Sequence, residues 1–292
     1  MRLLGIALVL FWIPAAQPIG GTESEPGEFP FIASIRAPRT RKHPGGHVCG
    51  GVLVAQNVVL TTGWCSTSLI RRGGRKPALA VDINRFMLTG ADETRFERFE
   101  VKEAIVHPFF GSVRGVYGFD FALLVLDGES KHQPVEIHKD EKCFQEGSPC
   151  GDGVAVGWDR IRSRSSFTER LLKVELPLVP RSVCDAQYKR VDIKEDMVCA
   201  GGPGKDMCSS GSPVLINRKL AGLASFGIGC GGDYPGVYSN VARVHQWITE
   251  ILGTDGKTED PEKSEPADEK ICCQYVFGAY RPDGCTKCQR LP

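Results

Sequence analysis

Twelve cysteines are the residues of this chain whose type and spacing most directly suggest chemistry. Cysteine thiols either pair as disulfides or, as thiolates, hold a metal such as zinc. Four of them crowd the carboxyl terminus, where Cys285 and Cys288 form a C-x-x-C pair after Cys272 and Cys273. Such a set has the spacing of a zinc site, so the compartment of the protein decides between the two chemistries.

The amino terminus indicates an oxidising compartment. Residues 1–16 have the composition of a secretory signal: Arg2, then an apolar run over residues 3–13, then Pro14-Ala15-Ala16 as a small-residue cleavage site. The apolar run is too short to span a bilayer, and no later stretch is long enough. We therefore expect a secreted, extracellular protein without a membrane span, whose cysteines pair as disulfides and which holds no metal and no cofactor.

Composition divides the rest of the chain into three parts. Short β-type runs separated by Gly, Pro and charged turns predict an all-β domain over residues 17–252, and apolar residues at helical spacing predict a helix near its end. Residues 253–270 are acidic and predict a flexible linker, followed by a Cys-rich tail at 271–292. The net charge of +1 favours neither nucleic acid nor a membrane as partner. The predicted strands cover residues 31–35, 52–55, 58–61, 86–89, 101–106, 121–126, 154–156, 171–176, 214–216 and 220–225, and the predicted helix covers residues 241–252.

An ordered series of motifs over residues 18–252 resembles the chymotrypsin/trypsin family of serine proteases. Each motif is weak alone, and their combination in this order is specific. The resemblance implies two antiparallel six-stranded β-barrels with a cleft between them, and a C-terminal helix. The motifs are Ile19-Gly20-Gly21, His47-Val48-Cys49-Gly50-Gly51, Trp64-Cys65, Phe119-Asp120-Phe121-Ala122-Leu123-Leu124, Gly157-Trp158, Met197-Val198-Cys199-Ala200-Gly201, Lys205-Asp206-Met207-Cys208, Ser225-Phe226-Gly227 and Pro235-Gly236-Val237-Tyr238.

The resemblance breaks at the catalytic base. Trp64 stands where the family motif Leu-Thr-Ala-Ala-His-Cys has its histidine. The indole nitrogen has no lone pair free to accept a proton, so Trp64 cannot act as general base. Asp120 matches the aspartate that orients the base. Because His47 and His107 match non-catalytic family positions, we expect no substitute base.

The nucleophile segment also departs from the family pattern. The family has six residues between the cysteine and the proline of Cys-x-Gly-Asp-Ser-Gly-Gly-Pro, whereas four separate Cys208 from Pro213. Ser210 is the best match to the nucleophile, and Ser212 is a weaker candidate. The missing glycine would supply an oxyanion-hole donor, which is worth about 10²–10³ in rate. The missing aspartate would pair with the new amino terminus, and no Arg or Lys precedes Ile19 as an activation cleavage site.

The specificity pocket, by contrast, is retained. Asp206 matches the aspartate at the floor of a trypsin-type pocket, and Ser225, Gly227 and Gly236 match its walls. The resemblance therefore implies a pocket for an Arg or Lys side chain. The alternative is that Asp206 is residual and the short serine segment has deformed the pocket.

The resemblance also implies three disulfides, Cys49–Cys65, Cys184–Cys199 and Cys208–Cys230. Cys150 matches a family cysteine whose partner would lie near Ile216, where this chain has none. A local Cys143–Cys150 bridge is our hypothesis, and a bridge from either to the tail is the alternative. The four tail cysteines allow three pairings.

Three loops are rich in basic residues and, by the family fold, surround one side of the cleft. Their summed field would attract an anionic glycan or an acidic protein face, unless they are merely solvated loops. The basic residues are Arg36, Arg39, Arg41, Lys42, Arg71, Arg72, Arg75, Lys76, Arg160, Arg162 and Arg164.

These features predict a secreted serine-protease homologue that is not an enzyme and that acts by binding. It would regulate, assist or inhibit another extracellular protein, such as a protease, a hydrolase or a receptor, or bind an anionic glycan. The first alternative is a weakly active trypsin-like endopeptidase that cleaves after Arg or Lys. The second is a protein whose function lies in the Cys-rich tail.

Overall fold

A computed structural model describes residues 20–37, 46–70, 79–90, 94, 96–113, 116–148, 150–159, 167–189 and 191–254. The predicted signal and tail lie outside these residues, as does the predicted linker apart from residues 253 and 254. The chain divides into two compact units, Met1–Arg243 and Val244–Pro292. Among the described helices, none has the length and apolar character needed to cross a membrane.

Six strands of the amino-terminal half close into an antiparallel barrel. The described strands of this half are β1 Thr22–Glu23, β2 Ile32–Arg36, β3 His47–Ala55, β4 Val58–Thr61, β5 Ala80–Ile83, β6 Glu97–Val106, β7 Gly111–Val113, β8 Val116–Gly118 and β9 Ala122–Leu126. The strand order in the barrel is β2-β3-β4-β9-β6-β5. β2 and β4 are buried along their whole length, which suits strands rich in Ile, Val and Leu.

The carboxyl-terminal half forms one antiparallel sheet of eight described strands. Besides β1, the strands are β10 Gly153–Gly157, β11 Leu172–Leu176, β12 Leu178–Val179, β13 Met197–Ala200, β14 Pro213–Ile216, β15 Lys219–Phe226 and β16 Gly236–Asn240. Their order in the sheet is β1-β11-β10-β14-β15-β16-β13-β12. β11 and β12 occupy the second and eighth places although only Pro177 separates them in sequence, so the sheet curls until its two ends approach each other.

The predicted trypsin-like, mostly β fold is therefore confirmed, with one difference. The second barrel is a curled half-barrel rather than a closed six-stranded one, because hydrogen bonds do not join its end strands in the described part of the chain. One predicted strand, at residues 86–89, is reduced to a single bridge between Met87 and Arg170.

The described residues include three α-helices: α1 Gly63–Ile70, α2 Arg181–Gln187 and α3 His245–Thr254. α1 and α2 were not predicted, because both are short and mix small, polar and apolar residues without helical periodicity. A 3₁₀ helix at Val241–Val244 precedes α3, so the predicted C-terminal helix begins four residues later and ends two residues later than expected.

Four disulfides lie among the described residues. Three are the pairs implied by the family resemblance, Cys49–Cys65, Cys184–Cys199 and Cys208–Cys230. The fourth joins Cys143 to Cys150 with 5.3 Å between their Cα atoms, which confirms the hypothesis of a local bridge. A disulfide typically contributes about 2–4 kcal/mol, so these cross-links stabilise the segments on both sides of the cleft.

Candidate active site and cleft

Asp120 is a buried carboxylate two residues before β9, with 1% of its surface exposed. Its Oδ1 accepts the backbone N–H of Trp64 at 2.8 Å, and its Oδ2 accepts the hydroxyl of Ser225 at 2.6 Å. Burial raises the pKa of Asp120 from 3.8 to about 6, although hydrogen bonds from Ser225, Trp64 and Gly63 act in the opposite direction. The carboxylate thus has three donors and none of them is an imidazole.

The residue before Asp120 holds an unusual backbone conformation. Phe119 has a φ of +45°, in a region that bulky side chains rarely adopt. Two contacts hold it there: its N–H donates to Asp196 at 2.5 Å, and its ring stacks on His107 with 4.9 Å between ring centroids. These contacts fix the direction in which the next residue, Asp120, points.

Trp64 is the second residue of α1, and its backbone is fixed from three sides. Thr62 Oγ1 accepts the N–H of Cys65 at the start of the helix, Cys65 is bridged to Cys49 on β3, and Asp120 accepts the N–H of Trp64 itself. The backbone is therefore anchored, while the indole is 38% exposed. An indole at this point offers aromatic surface and a donor N–H but no proton acceptor.

The two buried histidines of this half have other contacts. His107 is stacked on Phe119, and burial lowers its pKa to about 4. His47 Nδ1 is hydrogen-bonded to Ser34 Oγ at 2.8 Å, and the ring packs edge-on against Phe167. Both environments are structural, as the sequence led us to expect. His43 lies outside the described residues.

The serine segment forms a tight turn against the barrel. The N–H of Ser212 donates to the carbonyl of Ser209 at 3.1 Å, and Gly211 has a φ of +82°, which together define a type II turn with Ser210 and Gly211 at its centre. A side chain at Gly211 would collide with the carbonyl of Gly50 on β3. The turn can therefore sit this close to the barrel only with glycine at position 211.

The two candidate nucleophiles differ in exposure. Ser210 is partly exposed, lines the cavity described next, and its carbonyl accepts the N–H of Gly50 at 2.9 Å. Ser212 is fully buried, and its hydroxyl has no hydrogen-bond partner. Of the two serines, only Ser210 faces the cleft.

A cavity of about 370 Å³ opens beside Ser210. Asp206, 4% exposed, lies in its wall and accepts the N–H groups of Met207 at 2.8 Å and of Gly231 at 3.3 Å. Burial raises the pKa of Asp206 above its usual value, and these two N–H groups counteract the rise. A Cβ at Gly236 would lie 2.6 Å from Asp206 Oδ1, so glycine keeps the carboxylate accessible from the cavity.

All four residues predicted to form a pocket, Asp206, Ser225, Gly227 and Gly236, line this one cavity. The Cys208–Cys230 disulfide closes one side of it. The structure thus brings the pocket residues together, and it joins them to Asp120 through Ser225.

Comparison with known proteins decides the family. The trypsin family model matches residues 18–248. The chain belongs to the trypsin family.

Trypsin-family relatives cover most of this chain. It is 32% identical to human kallikrein-8 over 249 residues, which span 82% of this chain and 87% of that protein. It is 30% identical to trypsin 5G1 of Aedes aegypti, over 80% of this chain and 85% of the relative. It is 27% identical to U21-ctenitoxin-Pn1a of Phoneutria nigriventer, over 80% of this chain and 98% of the relative. The solved structure of mouse neuropsin, a serine protease, matches with a TM-score of 0.67 and 26% identity, over 80% of this chain and 98% of that one.

Most of the predicted basic surface of this trypsin-family chain lies outside the described residues, and the one described member contradicts the expectation. Arg36 is 7% exposed, and its Nε lies 3.3 Å from Asp82 Oδ2. Arg36 therefore does not belong to an exposed basic surface. The other predicted members, Arg39, Arg41, Lys42, Arg71, Arg72, Arg75, Lys76, Arg160, Arg162 and Arg164, are not described.

Sequence reasoning missed the ion cluster to which Arg36 belongs. Asp82 on β5 is fully buried and lies 2.9 Å from Arg85 Nη1 and 2.6 Å from Arg98 Nε, in addition to Arg36. The guanidinium of Arg85 also packs on the ring of Phe96, 4.1 Å from its centroid. A lone acidic residue inside an apolar strand was the available signal, because a buried carboxylate requires partners.

One group of metal-type ligands occurs in the described part of the chain: Asp159, Cys208 and Cys230. Both cysteines are consumed by their mutual disulfide. A disulfide sulfur is not a thiolate, so this group offers a metal only one carboxylate.

Proposed function

We propose that this chain is a secreted, catalytically inactive member of the trypsin family that acts by binding an extracellular partner through its cleft. The position of Trp64 carries the proposal. Its backbone N–H lies 2.8 Å from Asp120 Oδ1, so the side chain next to the orienting aspartate is an indole. Loss of the base alone can lower turnover by a factor on the order of 10⁶.

The turn at Ser209–Ser212 supports the same proposal. Stabilising the oxyanion of acyl transfer requires free N–H groups that converge beside the nucleophile. In the family these donors are the N–H groups of the nucleophile and of a glycine two residues before it. Here Cys208 stands two residues before Ser210, and its N–H donates to Asp159 Oδ1 at 3.1 Å. One of the two donors is therefore engaged elsewhere.

The Asp206 cavity supports a binding role. A buried carboxylate that receives only two backbone N–H groups retains acceptor capacity on the cavity side. A Lys or Arg side chain could use that capacity in a charge-assisted hydrogen bond. In this proposal the partner inserts such a side chain, and no cleavage follows.

The proposed extracellular location rests on three features. The described domain carries four disulfides, which persist in oxidising compartments. The first 16 residues have the pattern of a secretory signal, and one relative of similar length is named as a toxin.

Covalent labelling tests the loss of catalysis. A fluorophosphonate reacts only with an activated serine, so the mature chain should remain unlabelled beside active trypsin at equal concentration. A Ser210→Ala variant is the matched control. Labelling that disappears in this variant would show that some other group activates Ser210 and would refute the proposal.

A further inference from the structure

The Cys143–Cys150 disulfide differs from the other described disulfides in the way it is held. Its cysteines are seven positions apart, whereas those of the other three are 15 to 22 positions apart. Because a shorter loop has less entropy to lose on closure, this bridge stabilises the fold less than the others do. Cys143 is 1% exposed on the 3₁₀ helix Glu141–Phe144, whereas Cys150 is partly exposed. A molecule in solution can therefore approach the bridge from the side of Cys150.

The chain around Cys150 leaves space for such a molecule. A Cβ added at Gly147 or at Gly151 would meet no atom of the surrounding protein within 4 Å, its immediate chain neighbours aside. The two glycines have φ values of +71° and +67°, which glycine adopts without steric cost. Both sides of Cys150 are thus free of crowding side chains.

An imidazole lies on the shielded side of the bridge. His138 Nε2 is 3.7 Å from Cys143 Sγ. The backbone N–H of His138 donates to the carbonyl of Leu220 on β15 at 2.8 Å, which fixes the place of this residue. In the tautomer that carries its proton on Nε2, the ring can donate to a thiolate at Cys143. A disulfide breaks faster when its departing thiolate is stabilised.

Two of the other described disulfides are shielded on both sides. The four cysteines of Cys49–Cys65 and Cys184–Cys199 are each at most 1% exposed. A thiol in solution therefore reaches neither sulfur of these bridges in the folded protein.

The remaining described disulfide, Cys208–Cys230, is partly exposed but lies among negative charges. Asp206 Oδ2 is 3.2 Å from Cys208 Sγ, and a carboxylate oxygen of Asp159 lies within 4.8 Å of both sulfurs. Carboxylates repel an incoming thiolate and destabilise a departing one. Among the described disulfides, only Cys143–Cys150 thus combines an accessible sulfur with a donor for the departing sulfur.

We propose that Cys143–Cys150 is a thiol-exchange site, at which a low-molecular-weight thiol of the glutathione type becomes attached to Cys150 while Cys143 is released as a free thiol. The thiolate of the small molecule attacks Cys150 Sγ, and a new S–S bond forms there as the bond to Cys143 breaks. The electron pair of the broken bond goes to Cys143 Sγ, which accepts a hydrogen bond from His138 and then a proton from water. The incoming sulfur is oxidised and Cys143 is reduced, so the step needs no other reagent.

The fold around the bridge has other supports. Cys143 packs in a buried cluster with Phe144 and Tyr238, where a free thiol behaves as a small apolar group. Glu141 Oε1 lies 2.6 Å from Arg243 Nε, so an ion pair also holds the 3₁₀ helix. The exchange is therefore a reversible modification of the folded protein, and it does not depend on whether the cleft is catalytic.

A glutathione titration of the native chain tests the inference. The protein is equilibrated at neutral pH with reduced and oxidised glutathione at a series of ratios, trapped with acid and a maleimide, and digested. Cleavage after Glu146 separates Cys143 from Cys150, so mass spectrometry reads each cysteine alone. We expect glutathione on Cys150 and maleimide on Cys143 at ratios that leave the other three described disulfides intact. Exchange should be about tenfold faster than at Cys208–Cys230.

The same peptide map shows the results that would overturn the inference. One is a Cys143–Cys150 bridge that opens no earlier than Cys208–Cys230. The other is glutathione that appears on Cys143 rather than on Cys150.

Histidine variants test the role of the imidazole. His138→Phe keeps a ring but removes the N–H donor, so exchange should slow about fivefold, as for the loss of one net hydrogen bond. His138→Gln restores an N–H donor and should recover most of the rate. His132→Phe, at another partly exposed histidine, is the matched control and should leave the rate unchanged. A rate that His138→Phe does not lower, or that His138→Gln does not recover, would contradict the assigned role.

Discussion

The hydroxyl of Ser225 donates to Asp120 Oδ2 at 2.6 Å, and this bond links the closed barrel to the curled sheet. Asp120 precedes β9 of the barrel, whereas Ser225 lies on β15 of the sheet. Together with the N–H of Trp64, this hydroxyl satisfies the buried carboxylate without a histidine. The two halves of the cleft are therefore connected through Asp120 and Ser225.

Ionisation of Asp120 should make stability depend on pH. Its folded-state pKa, raised by burial to about 6, exceeds the unfolded value near 3.8. The protonated form is thus favoured by folding, and the stability it contributes is complete below pH 3.8 and lost as the pH rises through 6. At pH 7.5 the ionised carboxylate lowers the free energy of unfolding by about 3 kcal/mol relative to the protonated form, at 1.36 kcal/mol per pKa unit.

Asp120→Asn should recover that free energy. The amide oxygen can accept from Trp64 N–H, and the amide nitrogen can donate to Ser225 Oγ. Urea unfolding should show the variant to be more stable than the native chain by about 3 kcal/mol at pH 7.5, with little difference at pH 4. Asp152→Asn, at an exposed position, is the control. A difference that does not change between the two pH values would contradict the account.

Trp64→His alone should not restore cleavage. The substitution returns an imidazole next to Asp120, but the segment before Ser210 still lacks the family glycine, and the N–H of Cys208 at that place donates to Asp159. Hydrolysis of an Arg-amide substrate should remain at the level of a Trp64→Phe control. Turnover by the histidine variant would mean that the turn does provide an oxyanion site.

The cavity should bind an amidinium through Asp206. Benzamidine is small enough for a cavity of about 370 Å³ and presents two N–H donors to a carboxylate. Asp206→Asn should weaken its binding by about tenfold or more, because the amide carries no charge to pair with the cation. Asp152→Asn should have no effect in the same titration. Equal affinity of all three proteins would place the amidinium elsewhere.

The buried ion cluster should be essential for stability. Asp82 pairs with Arg36, Arg85 and Arg98, so Asp82→Asn removes the fully buried negative charge that these three guanidinium groups share. Removal of one partner from such a cluster typically costs about 3–5 kcal/mol of unfolding free energy. Urea unfolding should show this loss, whereas Glu100→Gln, at an exposed position on β6, should change stability by less than about 0.5 kcal/mol. A loss no larger than that of the control would show that the cluster is not stabilising.

The sequence predicted features that depend on residue order, and missed those that depend on distant contacts. Three of the disulfides and the lining of the cavity followed from motif positions. The Cys143–Cys150 bridge was instead a hypothesis, made because Cys150 lacks its family partner in this chain. Arg36 was wrongly assigned to an exposed basic surface because several residues that follow it in sequence are basic. Its actual partner, Asp82, lies 46 positions away on another strand. Local sequence does not reveal which face of β2 a side chain occupies.

Two further details of the site could not have been predicted. The left-handed conformation of Phe119 depends on contacts with Asp196 and His107, which the chain brings together only when folded. The bond from Ser225 to Asp120 likewise joins residues 105 positions apart. By contrast, the Ser210-Gly211 turn was readable in principle, because a Ser-Gly pair is a recognised turn signal.

Prolonged incubation with an Arg-amide substrate is the most direct test of the central claim. The native chain and its Ser210→Ala variant would be compared at equal, high concentration, with active trypsin as the positive control. The account predicts that the two proteins release product at the same background rate. Cleavage by the native chain that is absent from Ser210→Ala would show a working serine nucleophile and contradict the account.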